Sequence, residues 1–397
     1  MTHSPTPTGP LRGTLVLDLS RALAGPHAGM MLGDLGARVI KVETPAGDDT
    51  RSWGPPFTGP VDDLQSTYFL SCNRNKESVV VDLKTEEGTS ALAALVSEAD
   101  VLIENFRPGV LDRLGFSTNR LLELNPRLVV LSITGFGHDG PESHRSGYDQ
   151  ILQGEAGLMS LTGSGPDDPQ RTGVPIADLL AGIYGVSGIL AALLEREVSG
   201  RGKIVRTSLL AAVVGVHAFQ GTRVTVAHET PQAQGNHHPS IAPYGLFACR
   251  NGHVQISVGS EKLWKAFANH FELDTAAPRF ATNADRVRHR TELQAQIEAA
   301  FAQHEVDDLL GILDVAGIPA GRVRNLTEVY EWEQLRSQHL LVEVDHPLLG
   351  VVALPGSPLR FFEKDGTEST RREHSAPPLL DQDGEGIHAW ISARSQQ

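Results

Sequence analysis

Short apolar runs rich in Val, Ile and Leu alternate with helical patterns over the first part of the chain. The strand-like runs lie at 14–20, 37–43, 78–83, 101–106 and 128–137, and the helical patterns at 25–35 and 86–98. Strands that alternate with helices form a parallel sheet that is covered on both faces. The pattern therefore predicts an α/β fold with a large, Rossmann-like parallel-sheet domain.

The pattern changes near residue 216, where turn-forming residues become frequent. The elements after this point are a turn-rich stretch, a strand-like run and amphipathic helices, at 221–247, 253–259, 261–270 and 291–315. Because this pattern of strands, helices and turns differs from that of the first domain, we interpret 216–334 as a smaller α+β domain.

The last part of the chain is strand-like again at 342–363, and we expect it to pack back on the first domain. The large domain is thus predicted to combine 1–215 with 335–397. Within it, residues 1–10 are rich in Pro and Thr and have no apolar pattern, which predicts a disordered leader.

One helix differs from the others because it is apolar nearly all round and begins with a single acid. It follows the loop Val174–Ala177, carries Asp178 at its start and ends at the stop signal Ser199-Gly200. A helix that is apolar all round is predicted to be buried. Small residues form a stripe on which another backbone can pack closely, and these are Ala181, Gly185, Gly188 and Ala192.

The position of Asp178 has two interpretations. An acid at the start of a helix can be an N-cap, whose carboxylate accepts hydrogen bonds from the free N–H groups of the first turn. It can also be a carboxylate nucleophile whose charge the helix N-terminus stabilises. Capping preference alone favours the N-cap, so the choice depends on the rest of the chain.

Composition narrows the classes of protein. The 397 residues are 40% hydrophobic and 21% charged, as in soluble globular proteins, and the formal charge of −14 argues against nucleic-acid binding. No uninterrupted apolar run reaches the ~18 residues of a membrane span, and the N-terminus lacks a signal-peptide pattern. Cys72 and Cys249 offer no disulfide framework, so we expect a reducing, cytoplasmic environment.

Common cofactor and nucleophile motifs are not found. The turn at 21–26 lacks the glycines of the G-x-G-x-x-G fingerprint, so nicotinamide or flavin binding is not expected. The chain has no H-E-x-x-H or C-x-x-C motif, and the adjacent His237 and His238 point in different directions, so no metal site is predicted. No G-x-S-x-G elbow supports a catalytic serine.

Several segments in a fixed order carry a resemblance to a known family. They are GTLVLDLSRALAGPHAGMMLGDLGARVIKVE at 13–43, YFLSCNRNKESVVVDLKTEEG at 68–88, LIENFRPGVLDRLGF at 102–116, and the loop and helix around Asp178. In this order and at these spacings the chain resembles the family III CoA-transferases, which include the formyl-CoA and carnitine CoA-transferases. The resemblance extends to SGYDQILQGEAGLMSLTG at 146–163 and AGIPAGRV at 316–323.

The resemblance implies that Asp178 is the catalytic nucleophile and that coenzyme A (CoA) enters as a thioester co-substrate, with no permanently bound cofactor. The CoA-binding residues that it implies are Ala22, Leu23, Ala24, Val81, Lys84, Asn105, Phe106, Arg107, Arg113 and Tyr148. Arg107 and Arg113 are cations suited to the CoA phosphates. Upstream, Arg74 and Lys76 are predicted to add to this set.

In the reaction that the resemblance implies, Asp178 attacks an acyl-CoA and forms a mixed aspartyl-acyl anhydride. The released CoA thiolate converts the anhydride to an aspartyl-CoA thioester, and the acceptor acid repeats the steps in reverse without ATP or metal. We expect backbone N–H groups to stabilise each oxyanion and water to be excluded. In this family two chains thread through each other, which predicts an interlocked homodimer.

Two alternatives stay open. An α-methylacyl-CoA racemase of the same fold needs two proton-transfer groups and has a histidine in a G-H-D-x-N-Y motif. In this chain Tyr148 occupies the histidine position, and an ordinary phenol is a poor base at neutral pH; the nearby His144 does not keep the racemase spacing. The other alternative is a non-catalytic CoA-binding module, which would not need a carboxylate at the head of a buried helix.

The segment 235–244 is predicted to bind the acid substrate. It offers polar and partly cationic side chains rather than an apolar wall, and a second carboxylate needs a cation or N–H donors. It is also similar to a family branch that acts on small dicarboxylates. We therefore expect a C4–C5 dicarboxylate, with succinyl-CoA as the donor. The predicted substrate-binding residues are Gly235, Asn236, His237, His238 and Tyr244.

Overall fold

A computed structural model describes residues 8–274 and 277–394 of the chain. In the first part, strands alternate with helices as the apolar pattern predicts. The strands are β1 (Leu15–Asp18), β2 (Arg38–Glu43), β3 (Phe57–Thr58), β4 (Gln65–Ser66), β5 (Lys76–Val80), β6 (Val101–Glu104), β7 (Val129–Thr134) and β8 (Ile204–Ser208). The helices are α1 (Ala24–Asp34), α2 (Thr67–Ser71), α3 (Glu86–Glu98), α4 (Val110–Arg113), α5 (Thr118–Leu124), α6 (Asp149–Glu155), α7 (Ile176–Ser199), α8 (Leu209–Gly215) and α9 (Ala218–Thr225).

The second part contains shorter strands and more helices. Its elements are β9 (Tyr244–Cys249), β10 (Gly252–Ser257), α10 (Glu261–His270), α11 (Asn283–Arg288), α12 (Arg290–Phe301), α13 (Val306–Val315), β11 (Ala320–Arg322), α14 (Leu326–Glu331), α15 (Glu333–Ser337), β12 (Leu341–His346), β13 (Gly350–Pro355) and α16 (Gly384–Arg394). The helical pattern over 291–315 therefore corresponds to two helices, α12 and α13. The chain turns between them, where the carbonyl of His304 accepts a hydrogen bond from the Arg250 N–H at 2.9 Å.

The chain forms two compact units. The first comprises the residues up to Leu158, Thr172–Thr225 and the chain from Glu333; the second comprises Met159–Arg171 and Val226–Trp332. The small domain was predicted over 216–334, but the main segment of the second unit is Val226–Trp332, and Met159–Arg171 belongs to this unit as well. Residues 216–225 stay with the first unit because α8 packs on α7 and β8 and α9 follows it directly.

The predicted leader is ordered where the structure describes it. Residues 1–7 lie outside the described residues, but 8–10 pack against the end of α1. The N–H of Leu11 donates to the Leu35 carbonyl at 2.9 Å, and Gly9 leaves no room for a side chain beside the same carbonyl. The prediction of disorder is therefore wrong for 8–10, because backbone contacts that an apolar pattern does not report hold them.

The first unit is built on a six-stranded parallel sheet, which confirms the predicted α/β fold. The spatial order is β5-β2-β1-β6-β7-β8. Counted along the chain, this is third, second, first, fourth, fifth and sixth, the order of the doubly wound Rossmann fold. The order reverses between β1 and β6, and ligands of such sheets bind at this switch point beyond the carboxyl ends of the strands.

Helices cover both faces of this sheet. Buried side chains of α1, α7 and α8 form the core on one face, and those of α3, α5 and α16 form it on the other. The C-terminal part of the chain thus returns to the first unit through α16, which packs on α3 and β5. β12 and β13 precede it as an antiparallel hairpin.

Helix α7 packs on the sheet with its small residues and leaves large ones exposed. A side chain added at Gly185 would lie 2.6 Å from the Leu131 side chain, and one at Gly182 would lie 2.7 Å from the Ala24 carbonyl oxygen. On the other side Leu194 and Val198 are 75% and 92% exposed. The prediction of burial all round is therefore wrong for this single chain, since close approach to α1 and β7 requires the small face. By length and composition α7 could cross a membrane, but it packs on β7 and β8.

The second unit has its own sheet and core. Its three antiparallel strands have the order β11-β10-β9. Trp264, Phe267 and Phe301 are fully buried among α10, α12 and α13 and fill this core.

Candidate active site

A cavity of about 520 Å³ opens at the carboxyl ends of the parallel strands, and the first unit supplies its lining. The lining segments directly follow or end the strands of the sheet: 19–22, 41–44, 81–84, 105–108 and 133–135. Asp178 reaches the same cavity from the first turn of α7. The cavity therefore lies at the switch point, where a doubly wound sheet binds its ligands.

The structure excludes the N-cap interpretation of Asp178. The N-cap of α7 is Pro175. The N–H of Ala177, in the first turn of the helix, donates to Asp149 Oδ1 at 2.8 Å. Asp178 is half-buried, and within the described residues its carboxylate has no hydrogen bond and no ion pair. Asp178 is therefore not a cap, and its oxygens face the cavity without a partner.

The surroundings of Asp178 disfavour its charge. Burial, and after it the neighbouring carboxylate of Asp149, raise the pKa of Asp178 to about 7. A carboxylate that the protein solvates poorly is a stronger nucleophile than one in water, provided that it is ionised. The Asp178 carboxylate is therefore accessible from the cavity, and the protein stabilises its ionised form only weakly.

We expect the activity to depend on the ionisation of Asp178. Because only the carboxylate can attack a carbonyl, kcat/KM for the acyl donor should fall about tenfold per pH unit below pH 7 and level off above it. Initial rates measured at subsaturating donor between pH 5 and 9 would give this profile. A rate that is flat through pH 7 would contradict the assignment.

Asp149→Asn provides the matched comparison for this profile. Asparagine keeps an Oδ1 that can accept the Ala177 N–H but removes the negative charge that raises the pKa of Asp178. The fall in kcat/KM at acidic pH should therefore begin at a lower pH in the variant than in the wild type. Sequence patterns did not single out Asp149, because its bond to the α7 backbone joins residues 28 positions apart.

Eight of the ten predicted CoA-binding residues line the cavity. They are Ala22, Ala24, Val81, Lys84, Asn105, Phe106, Arg107 and Tyr148. Leu23 is buried at the start of α1, and Arg113 is exposed at the end of α4; neither is in the lining. CoA contacts of all ten residues stay predictions.

Asn105 has a structural role that the sequence did not indicate. Its amide nitrogen donates to the Arg21 carbonyl at 2.7 Å, and its Oδ1 accepts the Arg21 N–H at 2.8 Å. The side chain thus joins the segment after β6 to the turn after β1 across the switch point. The next residue, Ala22, has a φ of 62°, which is rare for a residue with a side chain, so this turn is held in an uncommon conformation.

Arg74 and Lys76 do not face the cavity. Lys76 is buried and donates to Asp18 Oδ2 and the Pro26 carbonyl, both at 2.7 Å. Arg74 is buried as well and forms a two-point ion pair with Asp34. The prediction that these cations bind CoA phosphates is therefore wrong, because buried carboxylates neutralise them.

The predicted substrate segment 235–244 belongs to the second unit. There the His238 ring stacks on Tyr244 with centroids 5.0 Å apart, and the His237 ring meets Phe247 edge-on at 5.6 Å. Burial, and after it the nearby Arg290, lower the pKa of both histidines below the ordinary value. These surroundings therefore disfavour the cationic form of both histidines, against the partly cationic lining expected from the sequence.

The remaining predicted residues of this segment shape its backbone. Gly235 has a φ of 57°, and its N–H donates to the Gly163 carbonyl at 2.9 Å. Asn236 follows it in the same turn, and its carbonyl would clash with a side chain at position 245. Substrate contacts of this segment stay predictions.

Comparison with known proteins identifies the family. A family model described as CoA-transferase family III matches residues 11–384. The chain belongs to CoA-transferase family III. It is 38% identical to the succinyl-CoA:glutarate CoA-transferase of Mus musculus, over 94% of this chain and 84% of that protein. It is 40% identical to the succinate–glutarate CoA-transferase of Agrobacterium fabrum, over 87% of this chain and 88% of that protein.

A solved structure supports the same membership. The crystal structure of a CAIB/BAIF family protein from Brucella suis superposes with a TM-score of 0.85 at 38% identity, covering 97% of this chain and 100% of that one. As a family III CoA-transferase the chain is an enzyme that uses a CoA thioester as co-substrate. No cluster of three or more potential metal ligands occurs within 8–274 and 277–394.

Proposed function

We propose that this enzyme transfers CoA from succinyl-CoA to a C4–C5 dicarboxylic acid, with Asp178 as the nucleophile. The observation that carries the proposal is the unpartnered Asp178 carboxylate at the carboxyl ends of the parallel strands. The names of the mouse and Agrobacterium relatives, both acting on glutarate, support the substrate class.

The proposed reaction passes twice through an anhydride on Asp178. The carboxylate attacks the carbonyl carbon of succinyl-CoA, the C–S bond breaks, and a mixed anhydride and the CoA thiolate form. The thiolate then attacks the aspartyl carbonyl, which releases succinate and leaves an aspartyl-CoA thioester. The acceptor carboxylate attacks the aspartyl carbonyl of this thioester, the C–S bond breaks, and a second anhydride and the CoA thiolate form. Attack of CoA thiolate on the acyl carbonyl of this anhydride gives the new acyl-CoA and restores Asp178.

The architecture favours this chemistry over hydrolysis. Each attack develops an oxyanion, which fixed backbone N–H groups stabilise best where water is excluded. The turn 20–22 lies in the cavity lining and is held by neighbouring side chains, so its backbone is preorganised. The thioester energy is conserved at every step, so no external energy source is required.

An acid panel tests the substrate class. With succinyl-CoA as donor and glutarate, itaconate, mesaconate, malate, oxalate, carnitine or butyrate as acceptor, the C4–C5 dicarboxylates should give the highest kcat/KM. Mass spectrometry of the acyl-CoA products measures this directly. Preference for carnitine, oxalate or butyrate would rule the proposal out.

His238→Ala tests the predicted role of 235–244 in holding the acid. Loss of a contact at one end of the acceptor should raise its KM at least several-fold with little change in kcat or in the KM of succinyl-CoA. His237→Ala is the comparison, because its imidazole bonds to Gln294 and packs on Phe247 inside the second unit. If both variants keep the wild-type acceptor KM, the segment does not bind the acid.

We expect no racemase activity, because Tyr148 stands where a racemase has its histidine. Tyr148 is 62% exposed and lines the same cavity as Asp178, so the position of the second proton-transfer group holds no imidazole. Incubation of a 2-methylacyl-CoA in deuterated water should therefore give no exchange of the α-hydrogen above background, measured by mass spectrometry. Exchange that depends on Asp178 or His144 would favour the racemase instead.

We also propose that two copies interlock as a dimer in the cytoplasm. The support is the position of the second unit between two parts of the first along the chain, and the exposed apolar face of α7. Interlocked chains cannot separate on dilution, so native mass spectrometry at nanomolar concentration should show only the dimer. A monomer under these conditions would refute the interlocking.

A further inference from the structure

The basic residues around the cavity differ in exposure and in whether a carboxylate neutralises them. Lys41 is buried and paired with Asp48 at 2.8 Å, and Arg145 is paired with Glu142 and Glu155. Lys84 and Arg107 are exposed at the rim. Arg21 is half-buried, and within 8–274 and 277–394 its guanidinium has no carboxylate partner. It is therefore the half-buried lining cation whose charge the protein leaves available.

Neutral groups hold Arg21 in place. Its backbone N–H and carbonyl are both bonded to the side chain of Asn105, and its guanidinium lies over the ring of Phe106 at 5.6 Å from the centroid. An aromatic face attracts a cation without neutralising it. The adjacent Ser20 carbonyl accepts a hydrogen bond from Lys41 at 3.0 Å, so the turn is fixed on both sides.

The ligand of the proposed reaction brings negative charge into a site that already contains it. Asp149 is close enough to Asp178 to raise its pKa, and within the described residues Asp178 forms no ion pair. A dicarboxylate keeps one free carboxylate while the other reacts, and a free carboxylate in a half-buried cavity needs a cation. The planar fork of an arginine matches a carboxylate at two points.

We propose that Arg21 binds the non-reacting carboxylate of the acyl donor and of the acceptor acid. This inference rests on the proposed function, because it assigns one residue of the first unit to the substrate class proposed above. It gives the enzyme a means of distinguishing dicarboxylates from monocarboxylates: an acyl group without the second carboxylate leaves the Arg21 charge unpaired.

The experiment compares two thioesters that differ by this carboxylate. Binding of succinyl-CoA and butyryl-CoA is measured by calorimetry in the Asp178→Asn background, where no turnover occurs, with Arg21 intact and with Arg21→Gln. The change should weaken succinyl-CoA binding about 10- to 100-fold and butyryl-CoA binding less than twofold, as expected for loss of one charge-assisted contact. Arg21→Lys should recover part of the loss, because it keeps the charge without the fork.

Arg107→Gln is the matched control, because it removes an exposed cation from the same rim and should affect both thioesters equally. Equal weakening of both thioesters by Arg21→Gln would overturn the inference, since Arg21 would then contact the CoA moiety; so would unchanged binding of both. With Asp178 intact, Arg21→Gln should also raise the KM of glutarate. If the wild-type enzyme transfers CoA to glutarate but Arg21→Gln weakens both thioesters equally or neither of them, this inference alone fails. If the wild type uses only monocarboxylates, the proposed substrate class fails first.

Discussion

Asp178→Asn is expected to abolish CoA transfer, with kcat reduced at least ~10³-fold, because the amide cannot form the anhydride on which every later step depends. The side chain keeps its size, and Asp178 has no hydrogen-bond partner to lose. Steady-state assays with succinyl-CoA measure the effect. If the variant retained a tenth of the wild-type rate, the assignment of Asp178 as the nucleophile would be wrong.

The same variant should not be less stable than the wild type. The folded protein disfavours the Asp178 charge, so the wild-type enzyme loses stability as pH rises from about 4, where an unfolded Asp ionises, to the folded pKa of about 7. Above pH 7 the asparagine variant should therefore melt at an equal or higher temperature. If the inactive variant also melts at a much lower temperature than the wild type, unfolding would explain its loss of activity.

Two further measurements separate the nucleophile from a binding residue. Asp112→Asn, on the exposed side of α4, removes one charge away from the cavity and should leave the rate unchanged. Hydroxylamine added during turnover should trap a hydroxamate on the peptide that contains Asp178, detected by mass spectrometry. Absence of the adduct during sustained turnover would argue against a covalent aspartyl intermediate.

The largest effect on stability is expected for Lys76→Met. Lys76 and Asp18 are completely buried at 2.7 Å beneath the turn that follows β1, and Lys76 also donates to the Asn73 side chain at 2.8 Å. Burial opposes ionisation of Asp18, but Lys76 and Lys41 hold its pKa below the ordinary value, so it is charged. Removal of Lys76 leaves this carboxylate without its direct ion-pair partner and should cost about 3–5 kcal/mol.

A double variant and a surface pair are the controls for this prediction. Asp18→Asn combined with Lys76→Met removes both charges and should recover part of the loss, as measured by denaturant unfolding. Lys203→Met breaks a pair with Glu195 in which both side chains are about half exposed, and it should cost about 1 kcal/mol or less. Equal effects of Lys76→Met and Lys203→Met would show that the buried pair does not stabilise the fold.

The alternation of strands and helices in the sequence was sufficient for the class of fold. A strand buried on both faces is apolar along most of its length, so β1, β6 and β7 are visible as nearly continuous apolar runs. The same reasoning did not find the helix break at 302–305, because apolar residues recur at helical spacing in both α12 and α13 and the turn between them contains no Gly or Pro.

The sequence by itself determined the family, the parallel sheet and Asp178 as the candidate nucleophile, because apolar periodicity and motif order are local properties of the chain. Only the tertiary structure decided which charges remain available. In the sequence, Arg74 and Lys76 resemble Arg21, because all three are basic residues near the segments predicted to bind CoA. The partners of Arg74 and Lys76, which are Asp34 and Asp18, are distant in sequence. The acceptor for the Ala177 N–H in the first turn of α7 is likewise supplied by Asp149, from α6. Neutralisation, capping and burial depend on contacts between remote residues, and these form only when the chain folds.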